Sequence, residues 1–388
     1  MANNDRQHFE KYTPQNQIKH EILSKYFSAY LRTLARHAKA FHYIDGFAGP
    51  GLYEGRFQGS PLLALEVLGA QGVPCSASFI ERDAQLYSTL KKSVAAHAVV
   101  KTGKLFDEPF VEQGEFKDWV TSVLARPIYK KHKTTATFAF VDPCGVRGVR
   151  MRDLIALLNR PYGECLLFWN YDGINRWLGL VAKGEHGRTG LVELFGGDEP
   201  VDQALKFYGS TAPTGDKEKE ILRLFMRVLK DGGKKFILPF RVEARDKDRT
   251  SHYLIHCSGH SLAFKIMKDV MSKATTSPTA GTFHFSTAAE TASLFTPADD
   301  ARTEVLQRLY AGPERVKLFT EEWTLRPDDF LIDKDYREIL LRLESEKIIE
   351  VLDKTGRHAA PAVRRRMRDG KPTLGPDYYV RIVPPKSV

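Results

Sequence analysis

Two aspartates stand where chemistry could be done. Asp45 follows Phe41, Tyr43 and Ile44 in the stretch FHYIDGFAGPG (residues 41–51), and Asp142 follows the run Thr137 to Val141 in TATFAFVDPCGVRGV (residues 135–149). The aromatic and β-branched bias of both runs predicts short buried strands, so each aspartate ends a strand where the backbone breaks into a loop. In an open α/β sheet such strand ends converge on one crevice at the topological switch, so the two loops are expected to face a common ligand. After Asp45, the glycines Gly46, Gly49 and Gly51 let a backbone approach a ligand closely, and an acidic residue there can bind a ribose hydroxyl or a cationic group. After Asp142, Pro143 fixes the turn, and the groups around it could hold an amine awaiting alkylation. Cys144 has a nucleophile's chemistry, but no neighbouring histidine serves it.

The spacing after the glycines narrows the ligand. Ser60 reads as an N-cap and Pro61 as the first helical residue before LLALEVL, which leaves about ten loop residues between the glycines and the helix. A dinucleotide site wants its glycines to open the helix directly, so that the pyrophosphate sits on the helix N-terminus. The wider loop suits a ligand without phosphates, S-adenosylmethionine, better; an ordinary glycine-containing turn is the plain alternative. A second strand, Ala77 to Ile80, ends in Glu81, Arg82 and Asp83, and Glu81 falls where a doubly wound fold puts the carboxylate for the ribose hydroxyls. After a weak strand, Phe110 to Gln113, comes the helix FKDWVTSVL, whose start places Glu115 or Phe116 within reach of an adenine ring.

The positioning elements follow by periodicity. Residues 16–36 put Ile18, Ile22, Leu23, Tyr26, Phe27, Tyr30, Leu31 and Leu34 at helical spacing ahead of the first strand. Lys19, near the start of this helix, is expected either in solvent or projecting toward the cofactor. Cys165 to Trp169 is a further strand, and its aromatic neighbours Phe168, Trp169, Tyr171 and Trp177 suit a core or a stacked base. From Gly179 to Asp216 glycines, prolines and charges alternate, which reads as an insertion loop beside the site. Strands Lys235 to Val242 and His252 to Cys257 read as an antiparallel pair closing the sheet, with Leu262 to Met271 a last helix. His252, His256 and His260 lack acidic or cysteine companions, so no metal is expected.

At 388 residues the chain is natural for two domains. Four widely spaced cysteines argue against a zinc site and a disulfide framework, and point to a reducing cytoplasm. No signal peptide or membrane-spanning run is read. The formal charge of +10 favours polyanionic partners. Thr, Ser, Ala, Pro and Gly dominate residues 276–300, read as a linker between a domain at 1–275 and one at 301–388. In the latter, helix, helix, strand, turn and strand follow in the order of a winged helix-turn-helix. Its wing, Lys354 to Lys371, carries seven basic residues, among them Arg357, Arg364, Arg365, Arg366, Arg368 and Lys371, against Asp369 alone. Such a run, confined to a wing, is expected to touch nucleic-acid phosphates, with a solvated face or a protein partner as the alternatives.

The motifs KHEILSKY (19–26), YIDGFAGPG (43–51), GSPLLAL (59–65), FVDPCG (140–145) and LIHCSGHSLAFKIMKDVM (254–271) resemble those of the three-Cys-motif partner proteins, TcmP. The resemblance covers most of the chain. It implies an α/β, Rossmann-like class I methyltransferase domain with a seven-stranded mixed sheet, a C-terminal winged helix, and a protein partner with three cysteines. More distantly, the FAGPG and DPCG loops are similar to the first and fourth motifs of amino-methyltransferases acting on DNA or RNA. Carried over, this implies Asp45, Gly46, Gly49 and Gly51 on the methionine side of S-adenosylmethionine, Glu81 on the ribose, and Asp142 and Pro143 at the target amine. The expected cofactor-binding set, beyond what the resemblance implies, also takes in Lys19, Phe47, Arg82, Glu115 and Phe116. The DNA enzymes usually carry a second proline and an aromatic ring where this chain has Cys144 and Gly145; Asp-Pro-x-Gly is similar instead to the tRNA guanine dimethyltransferases.

The expectation is therefore an S-adenosylmethionine-dependent methyltransferase acting on a base amine in RNA or DNA. A catalytically degenerate subunit that binds cofactor or nucleic acid beside a three-Cys-motif partner is the alternative. A nicotinamide-dependent oxidoreductase is disfavoured by the late helix start.

Overall fold

Burial and strand bias act together in β1, Ala40–Asp45, every residue of which is buried. The computed structural model describes residues 12–143, 145–243, 249–276, 283–285, 297–327, 331–361, 364 and 374–383. β1 lies parallel to β4, Cys75–Glu81, on one side and to β6, Thr135–Val141, on the other. Because both faces of these strands are covered, they read as continuous apolar runs. Beyond β4 lies β5, Phe110–Gln113, and beyond β6 lies β7, Glu164–Trp169, both parallel to their neighbours. β8, Phe236–Glu243, and β9, Thr250–Ser258, form the expected antiparallel pair, with β9 inserted between β7 and β8.

These are the seven strands read from the sequence. An eighth, β10, Phe283–Phe285, adds at the β8 edge, giving the order β10-β8-β9-β7-β6-β1-β4-β5. It falls inside the stretch read as a linker, because two strand-forming phenylalanines stand in a composition otherwise typical of loops. The first helix, α1, Pro14–Leu34, starts behind the Thr13 cap and buries Ile22, Leu23, Tyr26, Phe27 and Tyr30. Its rings of Phe27 and Tyr30 meet Phe138 of β6 at 5.2 and 5.4 Å.

The stretch read as an insertion loop is helical instead: Tyr171–Ala182, Thr189–Phe195 and Asp198–Gly209 are three helices. Their apolar residues Leu178, Leu191, Leu194, Phe195, Val201 and Ala204 join the main core, and Gly196, at φ 81°, ends the middle helix. The glycines punctuate short helices here rather than marking one open loop. Trp169 takes the core option, stacked on Phe225 at 4.9 Å.

The chain divides into two units, the first running to Ala274 and taking in His284. The second holds helices Pro297–Tyr310, Val316–Thr324 and Asp333–Ser345 and an antiparallel sheet ordered β11-β13-β12, from Glu314–Arg315, Tyr379–Ile382 and Ile349–Leu352. Val305, Phe319, Trp323, Tyr336, Leu340, Val351 and Val380 form its own core. Among the described residues, no helix is long and apolar enough to cross a membrane.

Candidate active site

The strand order reverses direction at β1 and β6: β4 and β5 run off one side, β6 and β7 off the other. The loops after β1 and β6 therefore open a crevice at the carboxyl edge, the place where such sheets bind ligands. Asp45 sits there fully buried, accepting from the Phe47 amide at 3.2 Å and the Tyr43 hydroxyl at 3.4 Å. Burial pushes its carboxyl up to about 7, with the charge of Asp142 adding to the rise, while the Ser60 hydroxyl and the Phe47 amide oppose it. Ser60 thus serves Asp45 rather than capping a helix. The cap of helix α2, Ser60–Gly69, is Gly59, with no side-chain bond.

The glycine loop is laced to the strands on either side. The Gly46 amide donates to Phe140 of β6 at 3.1 Å and the Ala48 amide to Ile80 of β4 at 2.9 Å. Gly49, at φ 61°, donates to Glu81 Oε2 at 2.8 Å, and the Asp83 amide donates to Glu81 Oε1 at 2.7 Å. Burial raises the Glu81 carboxyl and these two amides oppose the rise. What read as a wide loop is a hairpin, β2, Leu52–Tyr53, against β3, Phe57–Gln58, closed by the Gly59 amide on Gly51 at 2.8 Å.

At Gly46 a methyl group would stand 2.7 Å from the Phe116 ring. Gly46→Ala is therefore expected to cost about 1–3 kcal/mol in urea unfolding, through overpacking; an unchanged midpoint would show that the ring moves aside freely. The same contact corrects the expectation for Phe116, which is buried beneath the glycine with Phe47 packed at 5.9 Å, so its ring is not presented to an adenine. Glu115 pairs with Lys117 at 3.0 Å at the start of this helix, and Arg82 is exposed.

Lys19 is not solvated. It is 1% exposed, and its ammonium pairs with Asp142 Oδ2, reaches Asn16 Oδ1 at 3.4 Å and lies 4.9 Å from the centre of the Phe168 ring. Phe168 in turn stacks on His252 at 4.3 Å. Burial of a lysine is costly unless it is paired, and Asp142 supplies the pairing charge. Sequence reasoning missed Asn16, whose Nδ2 is buried with no partner among the described residues; its only signal was a polar residue on the inner face of an amphipathic helix. Pro143 gives its carbonyl to the Gly145 amide at 2.7 Å, which tightens the turn after Asp142. Cys144 lies outside the described residues.

The basic tract divides. Arg357 is exposed on a turn that Asp353 closes by accepting from the Thr355 and Arg357 amides at 2.8 and 3.0 Å. Arg364 is buried and paired with Glu344, so its guanidinium is committed within the unit and not presented to a phosphate. Arg365, Arg366, Arg368 and Lys371 lie outside the described residues.

No protein-family model matches the chain, and no curated protein matches it. Among solved structures, a Legionella pneumophila protein of the family model DUF519 aligns at 10% identity and TM-score 0.38, over 66% of this chain and 92% of its own. An O-methyltransferase from Bacillus cereus, in complex with SAH, aligns at 12% identity and TM-score 0.29, over 64% and 83%. A putative rRNA-methylase from Clostridium thermocellum aligns at 11% identity and TM-score 0.27, over 60% and 96%. At these scores the likenesses bear on neither substrate nor activity.

Proposed function

We propose that the chain is an S-adenosylmethionine-dependent methyltransferase of class I fold acting on an exocyclic base amine in nucleic acid. The supporting observation is the crevice itself: the Asp45 loop, tied by Gly49 to Glu81, faces the Asp142 turn across the β1/β6 switch point. The residues present fit the cofactor. Glu81 has lone pairs beyond its two backbone bonds for ribose hydroxyls, and the orphan donor of Asn16 beside the Lys19 ammonium suits a carboxylate. A cation beside Asp45 would favour the charged form of its raised carboxyl, while the Asp142 charge is answered by Lys19. When bound, the cofactor supplies an electrophilic methyl group. Asp142 then accepts a hydrogen bond from the target amine, and the Pro143 turn holds that carboxylate in place. A duplex target would pay a few kcal/mol to flip its base out.

The second unit fits the nucleic-acid half of the reading. Its helices, followed by β12, a basic turn and β13, have the order of a winged helix-turn-helix, with Arg357 exposed at the wing. Arg357→Ala is expected to weaken nucleic-acid binding uniformly across sequences and to reduce the salt slope by about one. A change confined to one sequence would show base contact instead.

The Lys19–Asp142 pair favours a second reading. A carboxylate that must accept from an amine already accepts from an ammonium, as in a subunit that holds cofactor and works only with a three-Cys-motif partner. Incubation with S-adenosylmethionine labelled in its methyl group, and total RNA, DNA and protein, separates the two. Label in a nucleic-acid pool supports the enzyme; cofactor retained without transfer supports the subunit; no retention sinks both.

A further inference from the structure

A cavity of about 400 Å³ lies away from the crevice. It is lined by Glu164 at the start of β7 and by Gly259 and His260 just past the end of antiparallel β9. Since β7 runs parallel to β6, which ends beside Asp142, this is the opposite edge of the sheet. Its volume falls in the range of small-molecule sites. Tyr26, Tyr30 and Tyr162 supply aromatic walls.

Its charges are unequally satisfied. Glu164 Oε2 already accepts from the Tyr26 hydroxyl and from His256 Nε2, the latter at 3.1 Å. Lys234, half-buried in the same lining, has no hydrogen-bond or ion-pair partner among the described residues, and burial lowers its ammonium below the ordinary lysine range while Glu164 opposes this. His260 Nδ1 accepts from the Leu262 amide at 3.1 Å, which leaves Nε2 as the protonated donor of the neutral ring. The helix Ser261–Ala274 also begins at this wall, and the positive end of its dipole adds to the same sign. Beside the second carboxylate oxygen of Glu164, the uncommitted groups of the cavity are donors and a cation.

The backbone carries strain at the mouth. Tyr162 has φ 50°, a conformation a ring-bearing residue adopts at a cost, and the Tyr30 hydroxyl donates to its carbonyl at 2.9 Å. Its side chain is left 44% exposed, with Leu262 45% exposed nearby. Both side chains line the cavity and place apolar surface at its mouth.

We propose that this cavity binds a small flat anion, an aromatic carboxylate or aryl phosphate, with Lys234 and His260 on the anionic group and the tyrosines against the ring. The site is independent of the methyltransferase reading. Calorimetric titration of the full chain with phenyl phosphate and with benzoate is expected to show one saturable site, weakened at least tenfold in Lys234→Met with an unchanged melting temperature. Lys234→Arg, which keeps the charge, is expected to retain binding and serves as the second variant should the first fail to fold. Saturating S-adenosylhomocysteine is expected to leave the affinity unchanged. The proposal is overturned if neither anion binds saturably, if Lys234→Met binds equally well, if inorganic phosphate or benzamidine binds as tightly, or if S-adenosylhomocysteine displaces the probe.

Discussion

Replacing Asp142 by alanine is expected to destabilise the first unit by about 3–5 kcal/mol, because it strands the buried Lys19 ammonium without its counter-charge, and to abolish methyl transfer, because it removes the acceptor for the target amine. The two effects have different causes and can be separated. Lys19 is 1% exposed and Asp142 is 17% exposed, so the lysine bears the desolvation cost and the aspartate answers it. Removing both charges, in Lys19→Met with Asp142→Ala, takes away the orphan as well as its partner. The double variant is therefore expected to recover most of the lost stability while remaining inactive. Denaturant midpoints and methyl transfer, measured on the two single variants and the double, give a complete cycle. Activity returning with stability in the double variant would reduce Asp142 to a structural partner of Lys19. Transfer surviving in Asp142→Ala itself would remove the aspartate from the chemistry altogether.

Asp45 is expected to make the protein less stable as pH rises from about 4 to about 7. Its carboxyl holds a proton up to about 7 in the folded state, whereas in the unfolded chain it releases it near the ordinary value of about 3.9. Between these values the folded state binds more protons than the unfolded one. The stability contributed by burying the neutral acid is thus fully present below about pH 4 and is lost as pH rises through 7, by on the order of 4 kcal/mol at most. Asp45→Asn keeps an acceptor for the Phe47 amide without an ionisable group, so its melting temperature should lack this decline. An equal slope in wild type and variant, followed by melting temperature from pH 4 to 8, would assign the dependence to other groups. A cationic ligand against Asp45 favours the charged form, so the affinity for S-adenosylmethionine should rise over the same interval and do so less in the variant.

The strands and their ends were legible in the amino-acid order. Runs such as FHYID and TFAFVD declare buried strands by composition, and a strand of known direction fixes which edge its last residue occupies, so Asp45 and Asp142 could be placed on one edge before any packing was known. In the second unit the helix Asp333–Ser345 and the strands Ile349–Leu352 and Tyr379–Ile382 were legible for the same reason, but the two-residue strand Glu314–Arg315 was not. The stretch from Gly179 to Asp216 misled because its helices are short and each is bounded by glycine or proline, so that punctuation outweighs period. Helix–loop decisions of this kind are made by the core that Leu191, Phe195 and Val201 enter, which a local window does not contain.

What the tertiary structure alone decided is the company each polar residue keeps. Periodicity marked the inner face of α1 but not what Lys19 meets there, since its partner Asp142 is 123 positions away in sequence. Ser60 has the composition of a helix cap and was diverted to a buried carboxylate, and Arg364 has the composition of a phosphate contact and was diverted to Glu344. For Ser60 a cap preference worth about 1 kcal/mol yields to the hydrogen bond a buried carboxyl requires; for Arg364 the cost of a buried charge is answered by Glu344. The amino-acid order determines where strands and helices form, because that depends on neighbours in the chain; the pairing of buried charges depends on neighbours in space, and only the folded sheet brings those together.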